Sequence, residues 1–153
     1  LYQVARAGTG IAKSRYLGQI GEKAAGIVQS EKSAIQVAGR TRIPDQIANG
    51  SVTEVKNVAR ISGRDAAQIA DDVTYAASTG QTMRLLTRSN TDLSKVQHLI
   101  NNGSIKLSTI PNIGSDGFRI ISGLESAGVG GALGSLSGIV NGAIGGGAGA
   151  SGN

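Results

Sequence analysis

Ile11, Leu17, Ile20, Ala24, Ala25, Ile27 and Val28 fall among charged residues at helical spacing and predict an amphipathic helix over 11–30, in spite of Gly18, Gly21 and Gly26. After Ser30 the period shortens, and Ala34-Ile35-Gln36-Val37-Ala38 reads as a strand broken at Gly39. Two β-rich runs follow, Arg42–Ile47 and Val52–Val58, with Asn49-Gly50 between them. Asn-Gly marks a type I′ hairpin turn, because both central residues of that turn need positive φ. Ser62 is placed to cap a helix through Ala77 that Gly80 stops. Met83–Thr87 reads as a strand, and Thr91 is placed to cap a helix holding Leu93, Val96, Leu99 and Ile100 that ends at Asn102-Gly103. Ser104–Ile110 forms a last strand before Pro111. The order α-β-β-β-α-β-α-β predicts an α/β domain around a mixed sheet, with helices on its faces.

The hairpin carries an electrostatic oddity. Counting outward from Asn49-Gly50 pairs Ala48 with Ser51, Ile47 with Val52, Gln46 with Thr53, and Asp45 with Glu54. Like charges directly opposite each other weaken a sheet, so a divalent cation between the two carboxylates is the expected reason for the pair. Side chains alternate at period two, which puts Lys56 on the face of Glu54 and Asn57 on the other. Two oxygen ligands with an ammonium beside them outline a metal-dependent hydrolytic site; the alternative is an ion-pair ladder on an exposed face.

Composition narrows the chemistry. At 153 residues the chain is long enough for one domain with a real core. It has no cysteine, which excludes thiolate zinc sites, thiol catalysis and disulfides. His98 is its one histidine, which argues against multi-histidine zinc and serine-triad chemistry. Carboxylates, lysine, hydroxyls and amides remain. The formal charge is +5, and beyond Arg119 only Glu125 is charged, so the excess belongs to residues 1–121. A basic domain attracts polyanions, nucleic acid first and an acidic protein second. Three tyrosines and one phenylalanine give little for base stacking, so binding should be mainly to phosphates. Arg40, Arg42, Arg60 and Arg64 gather near the hairpin ends, where they are candidates for phosphate contact or form a solvated rim. The chain opens on Leu-Tyr-Gln without a basic-then-apolar leader and reads as a piece of a longer polypeptide.

Residues 122–153 change character. They hold half of the 24 glycines, with Ala, Ser, Leu, Ile and Val, and read as a low-complexity linker or tail beyond a domain over 1–121. Gly130, Gly134, Gly138, Gly142 and Gly146 recur every four residues, as in helices that pack closely in membranes. Glycine dilutes the apolar residues there too far for a stable anchor to be expected.

Ile43-Pro44-Asp45 followed by Glu54-Val55-Lys56-Asn57-Val58, with Gly21-Glu22 before and Gln68-Ile69-Ala70-Asp71 and Tyr75-Ala76 after, resembles the PD-(D/E)XK nucleases. The likeness is greatest to the restriction-endonuclease-like toxin domains of bacterial polymorphic toxins, and it covers about Leu17 to Pro111. It implies a restriction-endonuclease-like core, α-β-β-β-α-β, and an endonuclease cleaving phosphodiester bonds with Mg²⁺ or Mn²⁺. Asp45 and Glu54 would supply metal oxygens, joined by the carbonyl of Val55 or its neighbour, with Glu22 as a further ligand or as a support behind the ligands. Lys56 would orient the attacking water and Gln68 would hold that water or a phosphate oxygen. The short step from Asp45 to Glu54 leaves no room for an insertion between the strands. DNA is the first substrate expected, with RNA, including tRNA, second, and a non-catalytic nucleic-acid- or inhibitor-binding module is the rival. The resemblance also implies a parent secreted polypeptide, action in the cytoplasm of a competing bacterial cell, and a cognate immunity protein, acidic to suit a basic face.

Overall fold

The computed structural model describes residues 10–120. They run α1 (Ile11–Ala24), a 3₁₀ turn (Gln29–Glu31), β1 (Ile35–Val37), β2 (Arg40–Arg42), β3 (Gln46–Ala48), β4 (Ser51–Lys56), α2 (Gly63–Ser78), β5 (Thr82–Thr87), α3 (Gln97–Asn101) and β6 (Lys106–Thr109). The main sheet is mixed, in the order β3-β4-β5-β6, with β3 antiparallel to β4 and the other pairs parallel. α2 forms the crossover between β4 and β5, and α3 lies between β5 and β6. The α/β class and the mixed sheet are those the pattern predicts. The tail over 122–153 lies outside the described residues, and no helix among the described residues is long and apolar enough to cross a membrane.

The Asn49-Gly50 turn forms as expected, with φ of 53° and 77°, and its register is Ala48 with Ser51, Ile47 with Val52 and Gln46 with Thr53. The arm before it differs. Ala38 and Gly39 also take positive φ, 50° and 79°, and fold the chain into a first hairpin in which Ile35 pairs with Arg42 and Val37 with Arg40. Arg42 therefore belongs to a separate two-stranded sheet, and Ile43-Pro44-Asp45 carry the chain to β3. Alanine is an uncommon left-handed residue, so this turn gives a weak signal, and Pro44 has no N–H with which to extend a ladder.

Three other boundaries move. α1 stops at Ala24 because Gly26 turns left-handed at φ 77°, with Gly26 N–H closing back on Lys23 O at 3.1 Å and Ile27 N–H on Glu22 O at 3.0 Å. Thr91 caps nothing; its hydroxyl donates to Val58 O at 2.7 Å, and the helix expected after it shrinks to α3. The last strand is confined to Lys106–Thr109, since Ile105 and Ile110 on either side are buried in the two cores.

Those cores lie on opposite faces of the sheet. Val52 of β4 and Met83 and Leu85 of β5 pack with Ile69 and Ala76 of α2, and with Ile61, Val96 and Ile105. Val55 and Leu86 point the other way, onto Ile110, Ile113 and the α1 residues Ile20 and Ala24. Each fully buried aliphatic side chain contributes about 1.5–3 kcal/mol. α2 starts where Ser62 and Asp65 form a capping box, as the Ser62 position predicts. α1 approaches β4 closely at Gly21, where a Cβ would stand 2.7 Å from Asn57 Cβ. Helix and strand meet there without a side chain between them, which brings the next residue, Glu22, to the strand end.

Candidate active site

Alternation along β4 sorts its polar residues between the two helices. Glu54 and Lys56 share the side of Val52, toward α2, where Gln68 Nε2 donates to Glu54 Oε1 at 2.9 Å. Lys56 Nζ lies 3.0 Å from the same Oε1 and 3.3 Å from Asp65 Oδ1 in the first turn of α2. Asn57 points the other way and donates to Leu17 O and Gly117 O, both at 2.8 Å, while its own Oδ1 accepts from Arg88 Nε at 2.8 Å. It holds α1 and the C-terminal loop to the sheet and stands apart from the carboxylates.

Asp45 sits one residue before β3, beside Glu54. Its N–H donates to Glu54 Oε2 at 3.3 Å, and its Oδ2 accepts from Val55 N–H at 2.8 Å. Both carboxylates are buried, Glu54 to 2% exposure. Burial pushes Glu54 up to about 8, with Lys56 pulling down and Asp45 and Asp72 adding to the rise. Burial also raises Asp45, against the Val55 N–H and Lys32. For Lys56, burial opposes the charge, but Glu54 and Asp65 outweigh it and raise the ammonium above its ordinary value. A pair of buried carboxylates lifted in this way by desolvation is a set that gains from an added cation.

Glu22 reaches this pair only through a third residue. Lys32 Nζ lies 3.0 Å from Glu22 Oε1 and 3.2 Å from Asp45 Oδ1. Glu22 also accepts from Gln29 Nε2 at 3.3 Å. The cleft these groups line has a volume of about 210 Å³, with Ser14 and Gly18 of α1 on one wall and Asp65 on the other. A larger hollow of about 510 Å³, between the end of α2 and the start of β6, is lined by Lys106 and no acid, and carries no comparable chemistry. Among the described residues no three acidic or histidine side chains converge as metal ligands. Two carboxylates do adjoin, and Mg²⁺ commonly takes one or two from the protein and completes its shell with water and phosphate. The donors at Asp45 and Glu54 fit such an ion.

The four arginines part company. Arg40 Nε and Nη2 donate to Asp71 Oδ2 and Oδ1 at 2.9 and 2.7 Å, and Arg42 Nε donates to Oδ2 at 2.7 Å. The hydrogen bonds from Arg40 lead in pulling Asp71 down to about 2, despite its burial. The two arginines tie the β1–β2 hairpin to α2 and present less free charge than expected of phosphate-binding residues. Arg60 and Arg64 are exposed, Arg64 in the first turn of α2.

Three further charged residues lie at or behind the cleft, and of these only Asp65 carries a mark in the sequence. Lys32 lies in the irregular stretch before β1, where no period places a side chain. Asp65 was legible as the third helical position after Ser62, a spacing that marks a capping box. Asp72 is wholly buried, neither oxygen has a hydrogen-bond partner among the described residues, and burial lifts it to about 7 against the pull of Lys56 and Arg42. It follows Asp71 in a helix, and nothing in the pattern distinguishes it from a solvated neighbour.

A family model described as restriction endonuclease fold toxin 7 matches residues 18–96, just over half of the chain. The span runs from α1 to the approach to α3 and contains Glu22, Asp45, Glu54, Lys56 and Gln68. Comparison with curated proteins and with solved structures returned no match.

Proposed function

This chain belongs to the restriction endonuclease fold toxins, and on that premise we propose that it is a metal-dependent endonuclease cleaving DNA in a competing bacterial cell. The observation that carries the reading is the buried Asp45–Glu54 pair with Lys56 Nζ 3.0 Å from Glu54 Oε1, at the edge of a cleft open to solvent. Asp45 and Glu54 would hold Mg²⁺ or Mn²⁺, with Glu22 at the cleft wall as a further oxygen donor. When bound, the ion supplies Lewis-acid stabilisation of phosphate charge and makes water a stronger nucleophile.

The protein's own groups account for the rest. Lys56 Nζ offsets negative charge gathering on the phosphate and orients the attacking water. Gln68 fixes the rotamer of Glu54 through its 2.9 Å hydrogen bond and is placed to hold a water or phosphate oxygen. Asp65 steadies Lys56 from the opposite side. Arg60 and Arg64 are the candidate backbone contacts for the nucleic acid. The domain acts as part of a larger secreted polypeptide in the target cytoplasm, and an acidic immunity protein would cover its basic face.

Incubation of the purified chain with supercoiled plasmid and with total RNA, in Mg²⁺, in Mn²⁺ and in chelator, tests this. Nicking or linearisation of the plasmid only when metal is present is expected. Degradation of RNA instead would reassign the substrate, and degradation of neither would leave a non-catalytic binding module.

A further inference from the structure

Lys32, in a stretch without regular structure, bridges two residues that line the cleft, Glu22 and Asp45. Its N–H is fixed to Gln29 O at 3.2 Å, at the end of the 3₁₀ turn. Its ammonium stands between Glu22 Oε1 at 3.0 Å and Asp45 Oδ1 at 3.2 Å, and the side chain is 24% exposed. Lys56 occupies the corresponding place between Glu54 and Asp65. Two ammoniums thus lie among four carboxylates, Glu22, Asp45, Glu54 and Asp65. Lys56 pairs with a residue, Asp65, that is not among the candidate ligands. Lys32 alone joins two candidate ligands, Glu22 and Asp45, and its nitrogen fills the space between their oxygens.

We propose that Lys32 is a built-in counter-cation that holds the Glu22–Asp45 side of the metal site and is displaced when a divalent ion binds. The inference rests on the reading of the cleft as a metal site. An ammonium makes no metal bond while it is charged, so an ion that takes both Asp45 Oδ1 and Glu22 Oε1 must move Lys32 away. The competition sets metal affinity. In the metal-free protein the same contact keeps two partly buried carboxylates paired, so that the cleft walls stay together before any ion arrives. Displacement then frees Glu22 to reach the ion that Asp45 and Glu54 already hold.

The test uses the whole chain with Mn²⁺ and no nucleic acid. Mn²⁺ affinity is measured by calorimetry and by electron paramagnetic resonance for the wild type, Lys32→Met and Lys32→Gln, with circular dichroism to check folding. Both variants should bind Mn²⁺ roughly ten-fold tighter, the scale expected for removing two partly exposed competing ion pairs, to Glu22 and Asp45. In the wild type, amine-reactive labelling of Lys32 read by mass spectrometry should rise with Mn²⁺ occupancy, whereas labelling of Lys13, exposed on α1, should not. Equal or weaker binding by the folded variants, or a Lys32 that stays protected in saturating Mn²⁺, would overturn the proposal. The labelling experiment needs no variant and decides the matter if neither substitution folds. Failure of all three proteins to bind Mn²⁺ would remove the metal reading itself. Equal affinity across the three would remove only the role of Lys32.

Discussion

Asp45 N–H donates to Glu54 Oε2 at 3.3 Å, so an acid just outside the β3–β4 ladder is joined to one within β4 through a backbone donor. Val55 N–H returns the contact to Asp45 Oδ2 at 2.8 Å. Each carboxylate thereby gains a peptide dipole that favours its charged form, yet burial keeps both raised. The pair is held in place by these backbone donors without any added group, the pre-organisation that the proposed site would need.

Glu54 should make the fold less stable as pH rises. Its ordinary value is 4.5 and its folded value about 8, so between these the folded chain holds more protons than the unfolded one. Stability then falls from near pH 4.5 to near pH 8 and levels off above. Asp72, lifted to about 7, adds a slope of the same sign at lower pH. Glu54→Gln should therefore remove its own share, most visibly between pH 7 and 8 in urea denaturation with chelator present, and should lower plasmid cleavage by about 10²-fold or more. An unchanged slope would mean that Glu54 is charged in the folded protein throughout the range.

Lys56→Met should reduce single-turnover cleavage about 10²- to 10³-fold, the usual cost of losing a charged group aimed at a developing anion. Asp65→Asn should act twice, by loosening Lys56 and by weakening the start of α2 at about 0.5–1 kcal/mol. Its cleavage defect should be the smaller of the two, and thermal melts should show the helix contribution separately.

The turn of the main hairpin and the closeness of Asp45 to Glu54 are legible in the sequence because Asn49-Gly50 fixes the register, although the ladder ends at Gln46 and Thr53 and Asp45 meets Glu54 just beyond it. The capped start of α2 at Ser62 is legible for the same kind of reason, a local bond with a fixed spacing. The Ala38-Gly39 turn and the early end of α1 are not, since both depend on left-handed residues whose use is decided by packing. In the cleft, period two places Lys56 beside Glu54, but no rule of spacing brings Lys32 to Asp45 across 13 residues, or Gln68 to Glu54 across 14. Gln68 is marked by family likeness, whereas Lys32 carries no mark in the sequence at all.

Gly21 and Gly18 should respond in opposite directions to alanine. At Gly21 a Cβ would meet Asn57 Cβ at 2.7 Å, and neither helix nor strand can yield without parting α1 from β4. Gly21→Ala should cost about 1–3 kcal/mol. Gly18 has nothing within 4 Å of its would-be Cβ, so Gly18→Ala should stabilise α1 by about 0.5–1 kcal/mol. Denaturant midpoints for the two variants check the pair. If Gly21→Ala is neutral, the helix does not approach the strand as closely as the contact with Asn57 requires.

Arg42 and Arg64 should separate structural from substrate-binding charge. Arg42 donates to buried Asp71 at 2.7 Å, and Arg42→Ala should cost roughly 1.5–3 kcal/mol of stability, the range for a hydrogen bond to a charged group. Asp71 is held at about 2 against an ordinary 3.8, so its contribution is present above pH 3.8 and fades as pH falls toward 2. The Arg42→Ala deficit should therefore be full at neutral pH and shrink in acid. Arg64 is exposed at the start of α2, close in sequence to Asp65 and Gln68, and Arg64→Ala should leave stability within about 0.5 kcal/mol. It should instead weaken DNA binding and reduce the salt dependence of affinity by about one unit of slope, the signature of one lost phosphate contact. Fluorescence anisotropy across a salt series reads that slope. A loss of slope in Arg42→Ala and not in Arg64→Ala would move the substrate path to the β1–β2 hairpin and away from the mouth of α2.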